Sequence, residues 1–171
     1  MLVILEGADG SGKTSLATRI RKDLGRYSLF LRSNGPPPTV EQLAEVMGWI
    51  KSLPKDIPIF VDRLPIISEY IYGPVLRGKC QHGLKLQQMA AILRDAFIIY
   101  CRPNWAALAV AVKRENQLEG VLANHHVIVK AYDELMGRLE LECVRVHRYD
   151  YTGPPQMIMD SVRSFLRGEA P

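Results

Sequence analysis

Three glycines, a lysine and a threonine near the start of the chain have the types and spacing of a phosphate-binding loop. Residues 7–14 read G-A-D-G-S-G-K-T and match the pattern G-x-x-x-x-G-K-[ST]. Glycines allow backbone N–H groups to converge on phosphate oxygens, and the N-terminus of a following helix attracts anions. The lysine of this pattern reaches the β- and γ-phosphates, and the threonine hydroxyl binds Mg²⁺. We therefore predict that ATP or GTP is bound by Gly7, Asp9, Gly10, Ser11, Gly12, Lys13, Thr14 and Ser15.

An acidic and a basic residue lie side by side at the end of another apolar segment, residues 58–62. Asp62 lies where a carboxylate at the end of a strand can bind Mg²⁺ through water, and Arg63 is positioned for an incoming phosphate. The alternative is a surface ion pair at the start of the next helix. A phosphate loop on a neighbouring strand favours the first interpretation. Thr14 and Asp62 are therefore the predicted metal ligands, and Lys13 and Asp62 are predicted catalytic residues.

The hydrophobic pattern alternates between short buried strands and amphipathic helices. Strands are predicted over 2–6, 27–31, 58–62, 96–101 and 143–149. Helices are predicted over 12–24, 39–53, 65–76, 84–95, 104–114, 124–141 and 154–167, the third of them stopping near Gly73-Pro74. This alternation predicts an α/β fold with a five-stranded parallel sheet and helices on both faces. Ligands of such sheets bind beyond the carboxyl ends of the strands, where both groups of polar residues lie.

The composition is typical of one globular domain over residues 1–171, with 47% hydrophobic and 23% charged residues. No apolar run approaches the roughly 18 residues that a membrane span needs, and the first residues lack the basic start of a secretory signal. Three widely spaced cysteines favour reduced thiols in a cytoplasm. The net charge of +4 comes without a run of five basic residues, so we expect neither a membrane partner nor a nucleic-acid partner.

Four segments, "EGADGSGKT", "LRSNGPP", "VDRLPIIS" with a tyrosine downstream, and "AYDEL", resemble the thymidylate kinase family in order and spacing. They are most similar to the short deoxynucleoside monophosphate kinases of bacteriophages, and the resemblance extends from Leu2 to about Leu166. It implies a P-loop nucleoside monophosphate kinase that uses ATP and Mg²⁺ to phosphorylate dTMP or a related deoxynucleoside monophosphate. It also implies a homodimer, located in the cytoplasm of the host if the protein is viral.

The resemblance also implies roles for residues around the acceptor nucleotide. In this family the acidic residue of the phosphate loop, matched by Asp9, faces the 3′-hydroxyl of the acceptor sugar. Arginines after the second and third strands, matched by Arg32 and Arg63, bind the acceptor phosphate. The remaining positions of the acceptor pocket are matched by Ser68, Tyr72 and Tyr132.

Transfer of a phosphoryl group needs positive charge beyond Lys13 and Mg²⁺. Some thymidylate kinases place an arginine in the phosphate loop, where this chain has Gly10. The resemblance places a small lid at about 113–123, and Arg114 is preferred over Lys113 as its catalytic cation because of its fork of donors. The alternative is that both are solvated charges at a helix end.

Other functions stay open at this point. A deoxynucleoside kinase needs a carboxylate base after the second strand, where "LRSNG" contains no acid. A kinase acting on a modified base in DNA and a non-catalytic nucleotide-binding switch are further alternatives. Departures from the family at Leu64 and at 33–38 leave the acceptor base undefined.

Two adjacent histidines and the segment after the fifth strand are weaker candidates for site residues. His125 and His126 would point about 100° apart on a helix and could not share a metal, so we expect them at the surface or at a helix N-terminus. Residues 150–152 follow the fifth strand, where the resemblance places the loop beside the donor base.

Overall fold

The computed structural model describes residues 1–24, 28–32, 39–54, 57–112 and 120–169. The strands are β1 (Leu2–Glu6), β2 (Leu29–Arg32), β3 (Ile59–Asp62), β4 (Ala96–Cys101) and β5 (Arg145–Tyr149). The helices are α1 (Lys13–Leu24), α2 (Val40–Ser52), α3 (Pro65–Arg77), α4 (Leu86–Leu93), α5 (Trp105–Val112), α6 (His125–Leu141) and α7 (Gln156–Leu166).

The strands form one parallel sheet in the order β2-β3-β1-β4-β5, which confirms the predicted α/β fold. β1 is central, so the loop after it opens in the middle of the carboxyl edge of the sheet. The register pairs Asp62 with Leu5 of β1 on one side and with Arg32 of β2 on the other. The predicted phosphate loop, the Asp62-Arg63 pair and Arg32 are therefore brought to one edge of the sheet.

Alternate residues of each central strand pack on opposite faces of the sheet, as the pleat requires. Leu2 and Ile4 of β1 belong to a core that includes residues of α3, α4 and α6. Val3 and Leu5 belong to a second core, with residues of α1 and α7. Both faces are thus covered by helices, and burial of these apolar side chains is the main force that holds the edge with the site together.

Helix α3 corrects the expectation that a helix stops near Gly73-Pro74. It continues to Arg77 and is capped by Gly78, which has a φ of 72° and donates its N–H to the Pro74 carbonyl at 3.1 Å. Pro74 removes one N–H donor from the helix, and the buried side of α3 outweighs that loss. Gly73 serves packing rather than a turn, because a Cβ at this position would overlap the carboxylate of Glu69.

Two further expectations concern the whole chain. None of the described helices is both long and apolar enough to cross a bilayer. Cys80, Cys101 and Cys143 are free thiols, so the chain has no disulfide to stabilise it and relies on its packed core.

Candidate active site

The loop after β1 turns sharply between the strand and α1, and Gly10 is one residue that allows this path. Its φ of 77° is in the left-handed region, and a Cβ at Gly10 would lie 2.8 Å from the Val112 nitrogen and 3.2 Å from Ala111. The slot where some thymidylate kinases have an arginine is therefore filled by the backbone of α5. Any second cation for the transferred group has to come from elsewhere in the chain.

We predict that Gly10→Ala destabilises the fold by about 2–3 kcal/mol, because it combines a positive φ with a steric overlap. The matched control is Gly48→Ala in α2, where nothing lies within 4 Å of the added methyl group. That change is expected to stabilise the protein by about 0.5–1 kcal/mol, because alanine favours a helix. Urea unfolding of both variants tests the pair, and equal free energies of unfolding would contradict the close approach of α5 to the loop.

Lys13 is held inside the loop that it follows. Its Nζ donates to the carbonyls of Gly7 at 2.8 Å and Ala8 at 2.7 Å, and to the hydroxyl of Ser11 at 3.1 Å. Burial, together with the charge of the nearby Arg63, lowers the pKa of the ammonium group to about 8, against the attraction of Asp9. All three N–H bonds of the ammonium group are used, so contact with a phosphate has to replace at least one of them.

Asp9, Arg63 and Tyr72 form a hydrogen-bonded cluster between the phosphate loop, the end of β3 and α3. The Arg63 guanidinium donates to one Asp9 oxygen and, at 3.0 Å, to the Tyr72 hydroxyl. That hydroxyl donates in turn to the other Asp9 oxygen at 3.1 Å. The guanidinium also lies 5.3 Å from the centre of the Tyr72 ring, within cation–π range. Three residues that the sequence analysis assigned to one acceptor site are therefore in direct contact.

Arg32 and Asp62 face each other at the ends of β2 and β3. The distance from Arg32 Nε to the nearer Asp62 oxygen is 3.9 Å, with the arginine side chain 68% exposed and the aspartate side chain 11% exposed. An exposed pair at this distance contributes little stability. Arg32 is therefore open to a ligand, while Asp62 is fixed beside the end of β1.

The metal-ligating groups around Asp62 fit Mg²⁺ that is bound partly by substrate and water, and not a metal bound by protein side chains alone. Within the described ranges, no three His, Cys, Asp or Glu side chains converge to hold a metal. Mg²⁺ typically takes one or two carboxylates, substrate phosphates and water. The Asp62 carboxylate and the exposed Thr14 at the start of α1 match that set.

Ser68 and Tyr132 are both buried rather than open to a ligand. Ser68 is buried on α3, and its Oγ has no hydrogen-bond partner. Tyr132 is completely buried on α6, with its ring 6.0 Å from the ring of Tyr100 and 6.2 Å from that of Tyr72. A nucleobase contact by Tyr132 stays a prediction, because its ring is enclosed by protein in this structure.

A cavity of about 380 Å³ lies on the other side of the phosphate loop. It is lined by Ser15 and Arg19 of α1, by Tyr149 at the end of β5 and by Tyr151. The Tyr151 ring packs on Gly12, where a Cβ would lie 2.6 Å from the ring. The loop at 150–152 therefore reaches the phosphate loop, and its contact with the donor base stays a prediction.

Sequence reasoning missed two buried groups, and one of them is His125. It is the first residue of α6, as expected, but it is buried rather than at the surface. Its Nε2 lies 3.1 Å from the Asp9 carbonyl oxygen and must carry the proton to donate to it. His126 is exposed. The second missed group is Glu6, whose two carboxyl oxygens accept from the Leu64 N–H and from the Tyr132 hydroxyl.

If ATP is the donor, as the sequence predicts, His125→Leu should lower kcat/KM for ATP about ten-fold, because the Asp9 peptide loses a partly buried hydrogen bond that holds the phosphate loop. His125→Gln can still donate to that carbonyl and should recover most of the loss. His126→Ala serves as the matched control and should stay within two-fold of the wild type. Steady-state kinetics with ATP as the varied substrate test this prediction. Equal kcat/KM values for the Leu and Gln variants would rule out the hydrogen bond that His125 donates.

The predicted catalytic Arg114, Lys113 and most of the lid lie outside the described residues. Their roles stay predictions. Residues 120–123, which the predicted lid also included, lie directly before α6.

No protein-family model and no curated protein sequence matches this chain. Among solved structures, the YorR protein of Bacillus subtilis in complex with phosphorylated GDP is similar, with 15% identity, a TM-score of 0.72 and coverage of 98% of this chain and 96% of that one. Deoxyadenosine kinase from M. mycoides, with dCMP and a flexible dCDP bound as products, has 16% identity, a TM-score of 0.61 and coverage of 98% and 99%. The same kinase with bound dCTP has a TM-score of 0.60 at 16% identity and covers 98% of this chain and 100% of that one. The protein therefore has the same overall α/β fold as YorR and the deoxyadenosine kinase.

Proposed function

We propose that the protein transfers the γ-phosphoryl group of ATP to the phosphate of a deoxynucleoside 5′-monophosphate, dTMP or a related nucleotide. The observation that carries this proposal is the placement of two arginines at the carboxyl edge of the sheet. Arg32 ends β2 and Arg63 follows β3, beside the phosphate loop after β1. Arginine binds phosphate through two parallel hydrogen bonds. A phosphate acceptor would thus be bound next to the donor triphosphate.

The donor would be bound by the loop amides and Lys13, with its base toward the cavity beside Tyr151. Mg²⁺, held by Thr14 and Asp62, would supply charge that neutralises the phosphates. Lys13 would exchange one of its bonds to the loop for a bond to the donor phosphates. Its positive charge then lies against the group that is transferred.

The acceptor phosphate is already an anionic nucleophile, so the reaction needs positioning rather than a general base. Arg63 would leave Asp9 to bind this phosphate. Asp9 is then able to accept a hydrogen bond from the sugar 3′-hydroxyl, as the family resemblance implies. Arg114 is the proposed additional cation, and closure of the lid would exclude water and limit hydrolysis of ATP.

A deoxynucleoside kinase is the second candidate, favoured by the similarity in fold to the deoxyadenosine kinase. Its acceptor is a neutral hydroxyl, which needs a carboxylate base. Among the described residues at this edge, Asp9 lies against Arg63 and Asp62 lies against Arg32. Glu6 is fully buried. The two arginines at this edge, Arg32 and Arg63, fit an anionic phosphate acceptor better than a neutral hydroxyl acceptor.

ADP release, measured with ATP and Mg²⁺ over all common deoxynucleoside monophosphates and the matching deoxynucleosides, separates the two functions. We expect turnover with at least one monophosphate, at a kcat/KM at least about 100-fold above that of its deoxynucleoside. The reverse preference would establish the deoxynucleoside kinase. Binding of nucleotides without turnover of either class would indicate the switch.

A homodimer, a cytoplasmic location and the absence of a nucleic-acid partner complete the proposal and come from the sequence alone. Light scattering at enzyme concentrations used in the kinetic measurements tests the first of these.

A further inference from the structure

Glu6 is the last residue of β1 and is fully buried. Its Oε1 accepts from the Leu64 N–H at 2.6 Å, and its Oε2 accepts from the Tyr132 hydroxyl at 3.0 Å. Removing a carboxyl group from water is costly unless its oxygens are hydrogen-bonded. Both partners come from other elements, the start of α3 and the middle of α6. Glu6 therefore links three parts of the site without being accessible to a ligand itself.

The hydrogen bond to Leu64 acts on the turn that carries Arg63. Arg63 has a φ of 67°, which is uncommon for a residue other than glycine and persists only where the surrounding structure enforces it. On one side of this residue, the Arg63 N–H donates to the Leu5 carbonyl at 3.0 Å. On the other side, the Leu64 N–H donates to Glu6. The last two residues of β1 thus bind the two consecutive N–H groups that define the turn.

Leu64 depends on this bond for a second reason. It is the N-cap residue of α3 and makes no side-chain capping bond, so the carboxyl of Glu6 is what satisfies its own N–H. Tyr132 holds the carboxyl in place from the opposite side. Loss of the Glu6 oxygens would leave a buried N–H without a partner at the start of the helix that carries Tyr72.

We propose that Glu6 is a positioning residue for the acceptor phosphate: it holds the turn that directs the Arg63 guanidinium into the acceptor site. This inference rests on the proposed function, in which Arg63 binds that phosphate. It assigns the role to hydrogen bonds and not to negative charge. Burial raises the pKa of Glu6 to about 7, although the Leu64 N–H, Arg63 and Lys13 all lower it. Both protonation states thus occur near neutral pH, and in both an oxygen can accept from Leu64.

Because hydrogen bonds rather than charge hold the turn, two substitutions of Glu6 should have different effects. Glu6→Gln keeps an oxygen for the Leu64 N–H, and its amide can donate to the Tyr132 oxygen. Glu6→Leu fills a similar volume and accepts nothing. We expect Glu6→Leu to raise the KM for the preferred deoxynucleoside monophosphate about ten-fold or more, with KM for ATP changed at most about three-fold. Glu6→Gln should keep both values within about three-fold of wild type.

The control for general destabilisation is Val162→Ala, a truncation in the core on the other side of the sheet. It should lower the melting temperature without separating the two KM values. Equal effects of Glu6→Leu and Glu6→Gln on the acceptor KM would overturn the proposal, and so would a rise in both KM values by the same factor.

A structural measurement keeps the inference apart from the proposed function. Crystals of Glu6→Leu are expected to show Arg63 with a negative φ or with its guanidinium moved away from Asp9. An unchanged Arg63 turn overturns the inference, even if no monophosphate is a substrate. If Glu6→Leu does not fold, the second test is the rate of hydrogen exchange at the Leu64 amide in Tyr132→Phe, in which the Glu6 carboxyl loses one of its two hydrogen bonds. About ten-fold faster exchange than in the wild type supports the role of the carboxyl, and an unchanged rate rejects it.

Discussion

Under the proposed function, replacing Lys13 by methionine is expected to lower kcat about 10³-fold, the largest effect of any single change in this protein. Methionine has a similar length and is compatible with the buried position, but it has no N–H group to place against the transferred phosphoryl group. The three bonds that Lys13 makes to Gly7, Ala8 and Ser11 would also be lost. Single-turnover kinetics at saturating ATP and acceptor measure the effect on the chemical step directly.

Lys22→Met is the matched control for this change, because Lys22 lies exposed on the same helix. It should retain kcat within two-fold. A loss below about ten-fold in Lys13→Met would show that the lysine stays bound to the loop carbonyls during the reaction and does not reach the phosphates.

The pKa of Lys13 adds a dependence on pH. Burial lowers this pKa to about 8, and the ammonium group is charged below that value. In the wild type, kcat/KM for ATP should therefore be limited by the lysine only on the alkaline side, falling about ten-fold per pH unit above pH 8. In Lys13→Met this alkaline limb should disappear from the pH profile.

Under the proposed function, Arg63→Met is expected to raise the KM for the deoxynucleoside monophosphate about 100-fold, with KM for ATP changed at most about three-fold. A charged hydrogen bond to phosphate contributes about 1.5–3 kcal/mol, and the fork of arginine can form two of them. The substitution also leaves the Asp9 carboxylate without its cation, and the small change in the KM for ATP reports how far this disturbs the phosphate loop. Steady-state kinetics with each substrate varied in turn separate the two effects.

Arg167→Met provides the control for loss of one positive charge, since Arg167 is exposed near the end of the described chain. It should leave both KM values unchanged. A double-mutant cycle that combines Arg63→Met with Asp9→Asn is expected to show a coupling of about 1 kcal/mol or more between the two residues in the free energy of unfolding. Additive effects of the two changes would contradict their contact in the free enzyme.

Much of the sheet and the position of the glycine-rich loop could be predicted because their signals are local. The spacing of glycines around Lys13 is contiguous in the chain, and a strand and a helix flank it. Asp62 and Arg63 could be placed beside the loop because parallel strands bring their carboxyl ends to one edge. The alternation of apolar and polar residues was sufficient to place Asp62 and Arg63 there. The family resemblance added Asp9 and Tyr72 to the same site.

The groups that were missed depend on contacts between residues far apart in the chain. Glu6 binds partners 58 and 126 residues away, and His125 binds a carbonyl 116 residues away. No periodicity contains that information. The predicted end of α3 was wrong for a related reason. Packing of Gly73 on Glu69 and burial of one side of the helix outweigh the tendency of Pro74 to end a helix. The burial of Tyr132 likewise follows from where α6 lies against the sheet.

The contact between Asp9 and Arg63 makes the free site selective for ligands with two functional groups. A ligand that takes Arg63 away from Asp9 must bind both residues, because otherwise the Asp9 carboxylate keeps only Tyr72 as a hydrogen-bond partner among the described side chains. Inorganic phosphate can satisfy the arginine alone. A nucleotide that presents a phosphate and a sugar hydroxyl at the right separation can satisfy both. Under the proposed function, the Asp9–Arg63 ion pair therefore favours a ligand that offers both groups, and inorganic phosphate would be a poor competitor for the acceptor.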